Sequence, residues 1–226
     1  MYGYGFAHKP TSKLELPWGI AGKVELFEGD RLCALVEKNI SLEELKSDEE
    51  RLMRAVVAHD RAICELFRQT PILPLRFGTV FRSSSALLEH LSSCESEYLQ
   101  KLARLAGLAE YSLRAIPLQA PASSPVQSKG KEYLLAKKQR YQARQNFQES
   151  QAADWEKVWE AIAAAYTDAI LASPSGNASS AKERRVYFLA PQAEEPLLNQ
   201  RLADWQQACP TWQLDLSEPL PPYHFI

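Results

Sequence analysis

The spacing of apolar and polar residues predicts that the chain opens with a small sheet. Residues 2–6 have the pattern of a short strand, and residues 21–27 and 31–36 predict a hairpin around a glycine-containing turn. Ser41 is followed three residues later by Glu44, which is a capping-box pattern. A short helix is therefore predicted to begin after the hairpin.

Two longer helices are predicted from apolar residues that recur at three- and four-residue steps. The first starts near Asp48 and carries His59 and Asp60 in its middle, and the second ends at Gly107, a residue suited to close a helix. The residues expected to face the core are Leu52, Met53, Val56, Val57, Ile63, Cys64 and Phe67 in the first helix and Leu87, Leu88, Leu91, Cys94, Tyr98, Leu99, Leu102 and Leu105 in the second.

Two prolines between these helices mark an extended segment. Pro71 and Pro74 fix φ and lack a backbone donor, and the residue before a proline is disfavoured in the helical region. A strand is therefore predicted around Leu73. Arg76 follows among apolar neighbours, so its charge needs either an acidic partner or access to water.

The second half of the chain has its own α+β pattern. Residues 111–117, 185–189 and 212–216 predict strands, and a helix with a proline in its first turn at Pro196 lies between the last two. One very long helix or two successive helices occupy the region from residue 129. With a further short strand near residues 169–172, the order is that of a ferredoxin-like βαββαβ unit. The residues expected near one side of the long helical region are Tyr133, Leu134, Ala136, Lys137, Tyr141, Trp155, Val158, Trp159, Ile162, Tyr166 and Ile170.

These patterns predict an α+β protein of two domains. The amino-terminal domain spans residues 1–108, and a ferredoxin-like domain with a helical extension spans residues 109–216. Residues 173–180 are rich in serine and predict an exposed loop. Residues 217–226 form a tail whose prolines exclude a central strand. Because its last apolar side chains would be costly to leave in water, we favour a tail that packs between the domains over a free docking peptide.

Composition narrows the classes of function. The 226 residues are 46% apolar and 24% charged, as in ordinary globular proteins, and the net charge of −2 gives no overall attraction to nucleic acid or anionic lipid. The four cysteines stand far apart without a Cys-x-x-Cys pair, so we expect reduced thiols. The sequence has neither a signal-peptide pattern nor an apolar run of membrane-spanning length, which predicts a cytoplasmic protein that does not cross a membrane.

The His59-Asp60 pair is the first candidate for chemistry. Metal-dependent phosphohydrolases use such a pair, but their sites need further histidines and an aspartate that this chain does not supply at suitable spacing. We therefore favour a structural role, in which His59 packs at the edge of its helix and Asp60 pairs with a cation or caps a backbone group. Arg76 is a possible partner for Asp60, because buried arginine usually bonds a carboxylate.

Other catalytic or ligand-binding patterns are weaker. The chain has no nucleophile elbow and no glycine-rich phosphate loop, so no catalytic residue, metal or cofactor is expected. An enzymatic or small-ligand-binding protein that uses the inter-domain cleft, lined by His59, Asp60 and Arg76, is the alternative.

Basic residues along the long helix could bind a polyanion, but Glu132 and Glu149 reduce the positive charge of this helix. We therefore favour a helix face that is simply exposed to solvent, and no nucleic-acid partner is expected. The basic residues are Lys129, Lys131, Lys137, Lys138, Arg140 and Arg144.

Several segments, taken in order, resemble the gas vesicle protein F/L family (GvpF/GvpL), accessory proteins of the gas-filled protein organelles that give aquatic microbes buoyancy. The most specific segment is PLRFGTVF at residues 74–81. The others are residues 32–36, the His59-Asp60 pair, and residues 107–114, 130–134 and 221–225, so the resemblance spans almost the whole chain. The tail departs from the family pattern at residues 217–220, where relatives tend to have a Gly-Pro-Trp-like lead into the prolines.

The resemblance implies a fold and a role. The fold would have two α+β domains, the second a modified ferredoxin-like fold with extra helices, held together with help from the tail. The role would be that of a non-enzymatic accessory or minor structural protein that assists assembly of the cytoplasmic gas vesicle, in contact with the small hydrophobic shell protein and with other accessory proteins. The expected structural or interaction residues are His59, Asp60, Arg76, Phe77, Pro222, Tyr223 and Phe225, with Arg76 and Phe77 the most important for the architecture.

Overall fold

The computed structural model describes residues 1–121, 131–172 and 183–226. The chain folds into two compact units. Unit 1 contains residues Met1–Glu110 and Pro219–Ile226, and unit 2 contains residues Tyr111–Glu218. Domain boundaries at residues 108 and 216 stay a prediction, because compactness alone does not show that a segment folds independently. The loop predicted at residues 173–180 lies outside the described residues.

Unit 1 is built on a four-stranded antiparallel sheet with the order β2-β3-β1-β4. The strand predicted between the two prolines is β4, which lies at an edge of this sheet, where the missing donor of Pro74 breaks no ladder. The predicted first strand and hairpin are also present. The bounds are β1 Tyr2–His8, β2 Glu25–Glu28, β3 Leu32–Glu37 and β4 Ile72–Pro74.

Four helices complete unit 1, and their starts follow the predicted caps. The hydroxyl of Ser41 accepts a hydrogen bond from the Glu44 backbone N–H, and the Asp48 carboxylate accepts from two N–H groups of the next helix. The single helix predicted from Leu87 to Leu105 is wrong, because the chain breaks at Cys94 into two helices. Cys94 leaves the helical backbone conformation, with a φ of −102° and a ψ of 6°, and the Ser93 hydroxyl just before it donates to the His90 carbonyl. The bounds are α1 Leu42–Lys46, α2 Glu49–Phe67, α3 Ser84–Ser93 and α4 Glu95–Leu105.

The prediction for the buried face of α2 is partly wrong. Met53, Val56 and Val57 were expected to face the core, but their exposed fractions are 61%, 38% and 60%. Small residues take part of the inner face, because alanine lets a helix lie close to the residues it packs against. The buried residues of α2 are Ala55, His59, Ala62, Ile63, Leu66 and Phe67.

Unit 2 has the predicted βαββαβ order, and its four strands stand in the order β6-β7-β5-β8. The long helical region is one helix, α5, and Pro196 lies in the first turn of α6 as expected. A single 3₁₀ turn, Gln192–Glu194, precedes α6. The bounds are β5 Leu108–Pro117, α5 Lys131–Ala165, β6 Ile170–Leu171, β7 Arg184–Pro191, α6 Glu195–Ala208 and β8 Trp212–Leu216.

Only the second half of α5 contributes to the core of unit 2. Trp155, Val158 and Ile162 are buried there, as the apolar spacing predicts. Tyr133, Leu134 and Tyr141 were expected on the same side, but they are exposed by 43%, 66% and 72%. The side of a helix that is buried depends on what packs against it, and the apolar spacing in this first half does not reveal that.

Candidate functional site: the Arg76 turn and the tail

The most specific sequence segment forms a tight turn after β4. The Arg76 carbonyl accepts hydrogen bonds from the Thr79 backbone N–H at 3.1 Å and from the Thr79 hydroxyl at 2.7 Å. Gly78, the third residue of the turn, has a φ of 89°. This φ at the third position is that of a type II turn, and it favours glycine. The turn therefore holds Arg76 and Phe77 in fixed positions at the end of the edge strand.

The sheet anchors this turn. The Gly3 backbone N–H donates to the Thr79 carbonyl at 3.0 Å, and the Gly78 N–H donates to the Tyr2 hydroxyl at 3.3 Å. The ring of Phe77 lies edge-on to those of Tyr2 and His59, with ring centroids 6.1 and 5.6 Å apart. Edge-to-face pairs at such distances are favourable aromatic contacts. Phe77 thus ties the turn to the aromatic cluster of unit 1.

His59 sits inside that cluster and is 5% exposed. Its Nε2 lies 3.1 Å from the Leu75 carbonyl, which can only accept, so Nε2 carries the proton in this arrangement. Nδ1 then accepts from the Tyr2 hydroxyl at 2.9 Å, and the Tyr2 oxygen in turn accepts from the Gly78 N–H. Burial lowers the pKa of His59 and raises the pKa of Tyr2 to about 12, so both are neutral at pH 7. This histidine connects α2 to the Arg76 turn.

The described residues do not show the metal site that a His-Asp pair could serve. Among them no group of three histidine, cysteine, aspartate or glutamate side chains is placed to hold a metal ion. Asp60 instead accepts a hydrogen bond of 2.6 Å from the Tyr223 hydroxyl. Burial, together with this bond, raises the pKa of Tyr223.

The predicted pairing of Asp60 with Arg76 is wrong. Asp60 is bonded to Tyr223, and within the described residues the Arg76 side chain makes no ion pair or hydrogen bond. Arg76 is exposed, so water solvates its guanidinium and the charge needs no carboxylate partner. It stands free to bond another molecule.

The tail is fixed on unit 1 by a buried carboxylate. Glu110 is 1% exposed, and its two carboxylate oxygens contact the His224 backbone N–H at 2.9 Å and His224 Nδ1 at 2.7 Å. The backbones of Glu110 and Leu220 exchange two hydrogen bonds of 2.9 Å. Arg104 donates to the Phe225 carbonyl at 2.6 Å. Pro222 and Phe225 are buried. Packing of the tail between the two domains stays a prediction.

Sequence reasoning missed Glu110 and Arg104. A signal for Glu110 exists, since it is a lone carboxylate between Ala109 and Tyr111 in an apolar strand and needs donors there. Its partner His224 lies 114 residues away, however, so the sequence pattern does not reveal the pair.

A cavity of about 630 Å³ opens beside the turn and the tail. His59 and Asp60 are not among its lining residues, so the convergence of both with Arg76 that the enzymatic alternative needs is not seen among the described residues. We name this space the tail cavity. It is lined by Phe6, Leu73, Pro74, Leu75, Arg76, Tyr98, Lys101, Tyr223, His224 and Ile226.

The fold places the chain in the class of α+β proteins with two compact units and a tail that returns to the first of them. The chain belongs to the family of the gas vesicle synthesis protein GvpL/GvpF, whose model matches residues 1–226. The resemblance seen in the sequence and the predicted α+β class are therefore confirmed. No curated protein matches the chain.

Solved structures show the same fold. The chain is similar to the crystal structure of the gas vesicle protein GvpF from Anabaena sp. PCC7120, with a TM-score of 0.70 and 17% identity over 99% of this chain and 94% of that one. It is also similar to that of GvpF from Microcystis aeruginosa, with a TM-score of 0.66 and 16% identity over 99% of this chain and 97% of that one. Within the described residues, none of the helices has the length and apolar character needed to cross a membrane.

Proposed function

We propose that this protein assists assembly of the gas vesicle shell in the cytoplasm by binding the small hydrophobic shell protein. Membership of the GvpL/GvpF family over the whole chain supports a gas vesicle role. A shell protein with an apolar gas-facing surface is prone to aggregate before it is incorporated. A partner that covers part of that surface would keep it available for the growing shell.

The observation that carries this proposal is the apolar face of α2. Val56 and Val57 lie three and four residues after Met53, so the exposed side chain of Met53 neighbours both on the helix surface. We name this surface the α2 stripe. Neighbouring apolar side chains on a rigid helix suit a protein contact, and methionine adapts to the shape of a partner. The α2 stripe is therefore the surface proposed to meet the shell protein.

Co-purification with the shell protein tests this function. The tagged chain and the shell protein are expressed together, and the shell protein retained on the affinity resin is measured. We expect saturable retention by the wild-type chain and loss of it with Val57→Asp, which places a charge in the α2 stripe.

Leu88→Asp is the matched control, since Leu88 is an exposed apolar residue on α3. It should leave retention unchanged. Circular dichroism confirms that both variants fold. Absence of retention by the folded wild-type chain would refute the proposed function, and equal retention by Val57→Asp would refute the role of the α2 stripe. Other gas vesicle accessory proteins are further partners to be tested in the same assay.

A further inference from the structure

We propose that the tail cavity binds a short peptide segment of a partner protein that carries a carboxylate next to an apolar side chain. The inference rests on the proposed function only for the source of that segment. The required chemistry is present in unit 1: an unpaired guanidinium, a second cation and an apolar floor.

Arg76 supplies the first element. Its guanidinium is exposed, and in the described part of the chain it has no acidic partner, so a ligand does not have to displace one. The type II turn fixes the backbone of Arg76, so a ligand that bonds the guanidinium does not also have to order the backbone. A guanidinium binds carboxylates in a two-pronged geometry that no neutral group reproduces.

Lys101 supplies the second cation. Its Nζ lies 2.7 Å from Glu97, in a pair whose side chains are 35% and 59% exposed. Exposed ion pairs of this kind contribute little to stability, so Lys101 can turn from Glu97 toward the carboxylate of a ligand at small cost. His224, also at the cavity, is already bonded through Nδ1 to the buried Glu110 carboxylate.

The floor of the cavity is apolar. Phe6, Leu73 and Leu75 line it together with the ring of Tyr98. Its volume of about 630 Å³ lies within the range of about 300–1,000 Å³ that is typical of ligand sites. A ligand with a carboxylate alone would leave this floor uncovered, so an apolar group beside the carboxylate fits better.

The length of the available surface favours a peptide over a small acid. A second cavity of about 410 Å³ shares Lys101 and Ile226 with the tail cavity, which extends the surface along α4. The cavity also runs along β4, an edge strand. Pro74 in this strand has no N–H, so addition of a peptide as a further strand is disfavoured and a peptide would be recognised through its side chains.

Nuclear magnetic resonance titration of the ¹⁵N-labelled full chain tests the inference. The probes are acetyl-Leu-Glu-Leu-amide, its neutral match acetyl-Leu-Gln-Leu-amide, and 4-methylpentanoate as a free branched acid. We expect saturable shifts of the amides of Arg76, Phe77 and Tyr223 with the glutamate peptide. Binding should be about 10-fold or more weaker for the glutamine peptide and for the Arg76→Gln variant, because a charge-assisted bond is lost.

Arg82→Gln is the matched control, because it removes the same charge at an exposed position that does not line the cavity. It should bind the glutamate peptide as the wild type does. Absence of shifts at the cavity, or equal affinity for the two peptides, would overturn the inference. So would equal affinity for 4-methylpentanoate, which would assign the cavity to small acids.

The two proposals fail in distinguishable ways. If the shell protein is retained by the chain while the glutamate peptide does not bind, the cavity inference fails and the proposed function stands. If the peptide binds at Arg76 while the shell protein is not retained, the proposed function fails and the cavity assignment stands.

Discussion

Glu110→Ala should release the tail from unit 1. The substitution removes a carboxylate that is 1% exposed and accepts two hydrogen bonds from His224, one from its backbone N–H at 2.9 Å and one from Nδ1 at 2.7 Å. Hydrogen bonds to charged groups contribute about 1.5–3 kcal/mol each. The His224 side chain is 43% exposed and can bond to water instead, which reduces the loss. We therefore expect a cost of about 2–4 kcal/mol in the free energy that holds the tail in place.

Amide hydrogen exchange measures this release at the tail itself. The reporting amides are Leu220, which donates to the Glu110 carbonyl, and Phe225. A loss of about 2–4 kcal/mol would make them exchange roughly 30- to 1,000-fold faster, if they exchange by local opening of the tail. Amides in β3 should keep their protection, because they lie in the sheet and not under the tail.

Glu97→Ala is the control, because it removes an exposed carboxylate of α4 whose pair with Lys101 contributes little. Its tail amides should exchange as in the wild type. If Glu110→Ala changed tail exchange less than 5-fold, equivalent to under about 1 kcal/mol, the reasoning that a buried carboxylate fixes the tail would be refuted.

Two further predictions concern the Arg76 turn and its histidine. Gly78→Ala should lower the free energy of unfolding by about 1–2 kcal/mol in urea titrations, because a residue with a Cβ is strained at a φ of 89°, whereas Gly22→Ala, at ordinary φ, should have little effect; equal stability of the two variants would contradict the type II turn. His59 has a pKa lowered by burial, so the unfolded chain binds its proton first as the pH falls, and the free energy of unfolding should drop from pH 7 toward pH 5 by at most about 1.4 kcal/mol per pH unit from this group. The His59→Gln variant should show a shallower decline over that range, and an unchanged slope would show that His59 is not the buried titrating group.

Local signals account for what could be predicted. Ser41 and Asp48 cap their helices through side-chain bonds to residues two and three positions away, and Gly107 takes a φ of 74° at the end of α4. Pro71 and Pro74 bracket β4 for a similar reason, since φ and donor loss are properties of the residue itself. Such features depend on near neighbours and are visible in the sequence.

Long-range contacts account for most of what could not be predicted. Tyr223 bonds Asp60 across 163 positions, and no sequence pattern selects this partner over Arg76. Glu37 is another example, because its buried carboxylate accepts from the backbone of Ile20 and Ala21 at 2.8 Å and anchors a preceding loop. The sequence shows that acidic and aromatic side chains in apolar segments need hydrogen-bond partners. Which residues become those partners depends on the tertiary fold.

The prediction of which helix face is buried failed for a different reason. The apolar spacing of α2 predicted Met53 and Val57 inside, but the helix buries Ala55 and Ala62 instead. Large apolar side chains dominate a periodicity count, while small ones permit close packing. An apolar side chain that the fold leaves exposed is a candidate for contact with a partner, as proposed for the α2 stripe.

Gas vesicle formation in cells tests the central claim most directly. The gene for this chain is deleted from a gas vesicle-forming host, and vesicles are counted by electron microscopy with and without the chain supplied in trans. The account predicts few or no complete vesicles without the chain, recovery with the wild type, and poor recovery with the folded Val57→Asp variant. Normal vesicle numbers in the deletion strain would contradict a role in assembly.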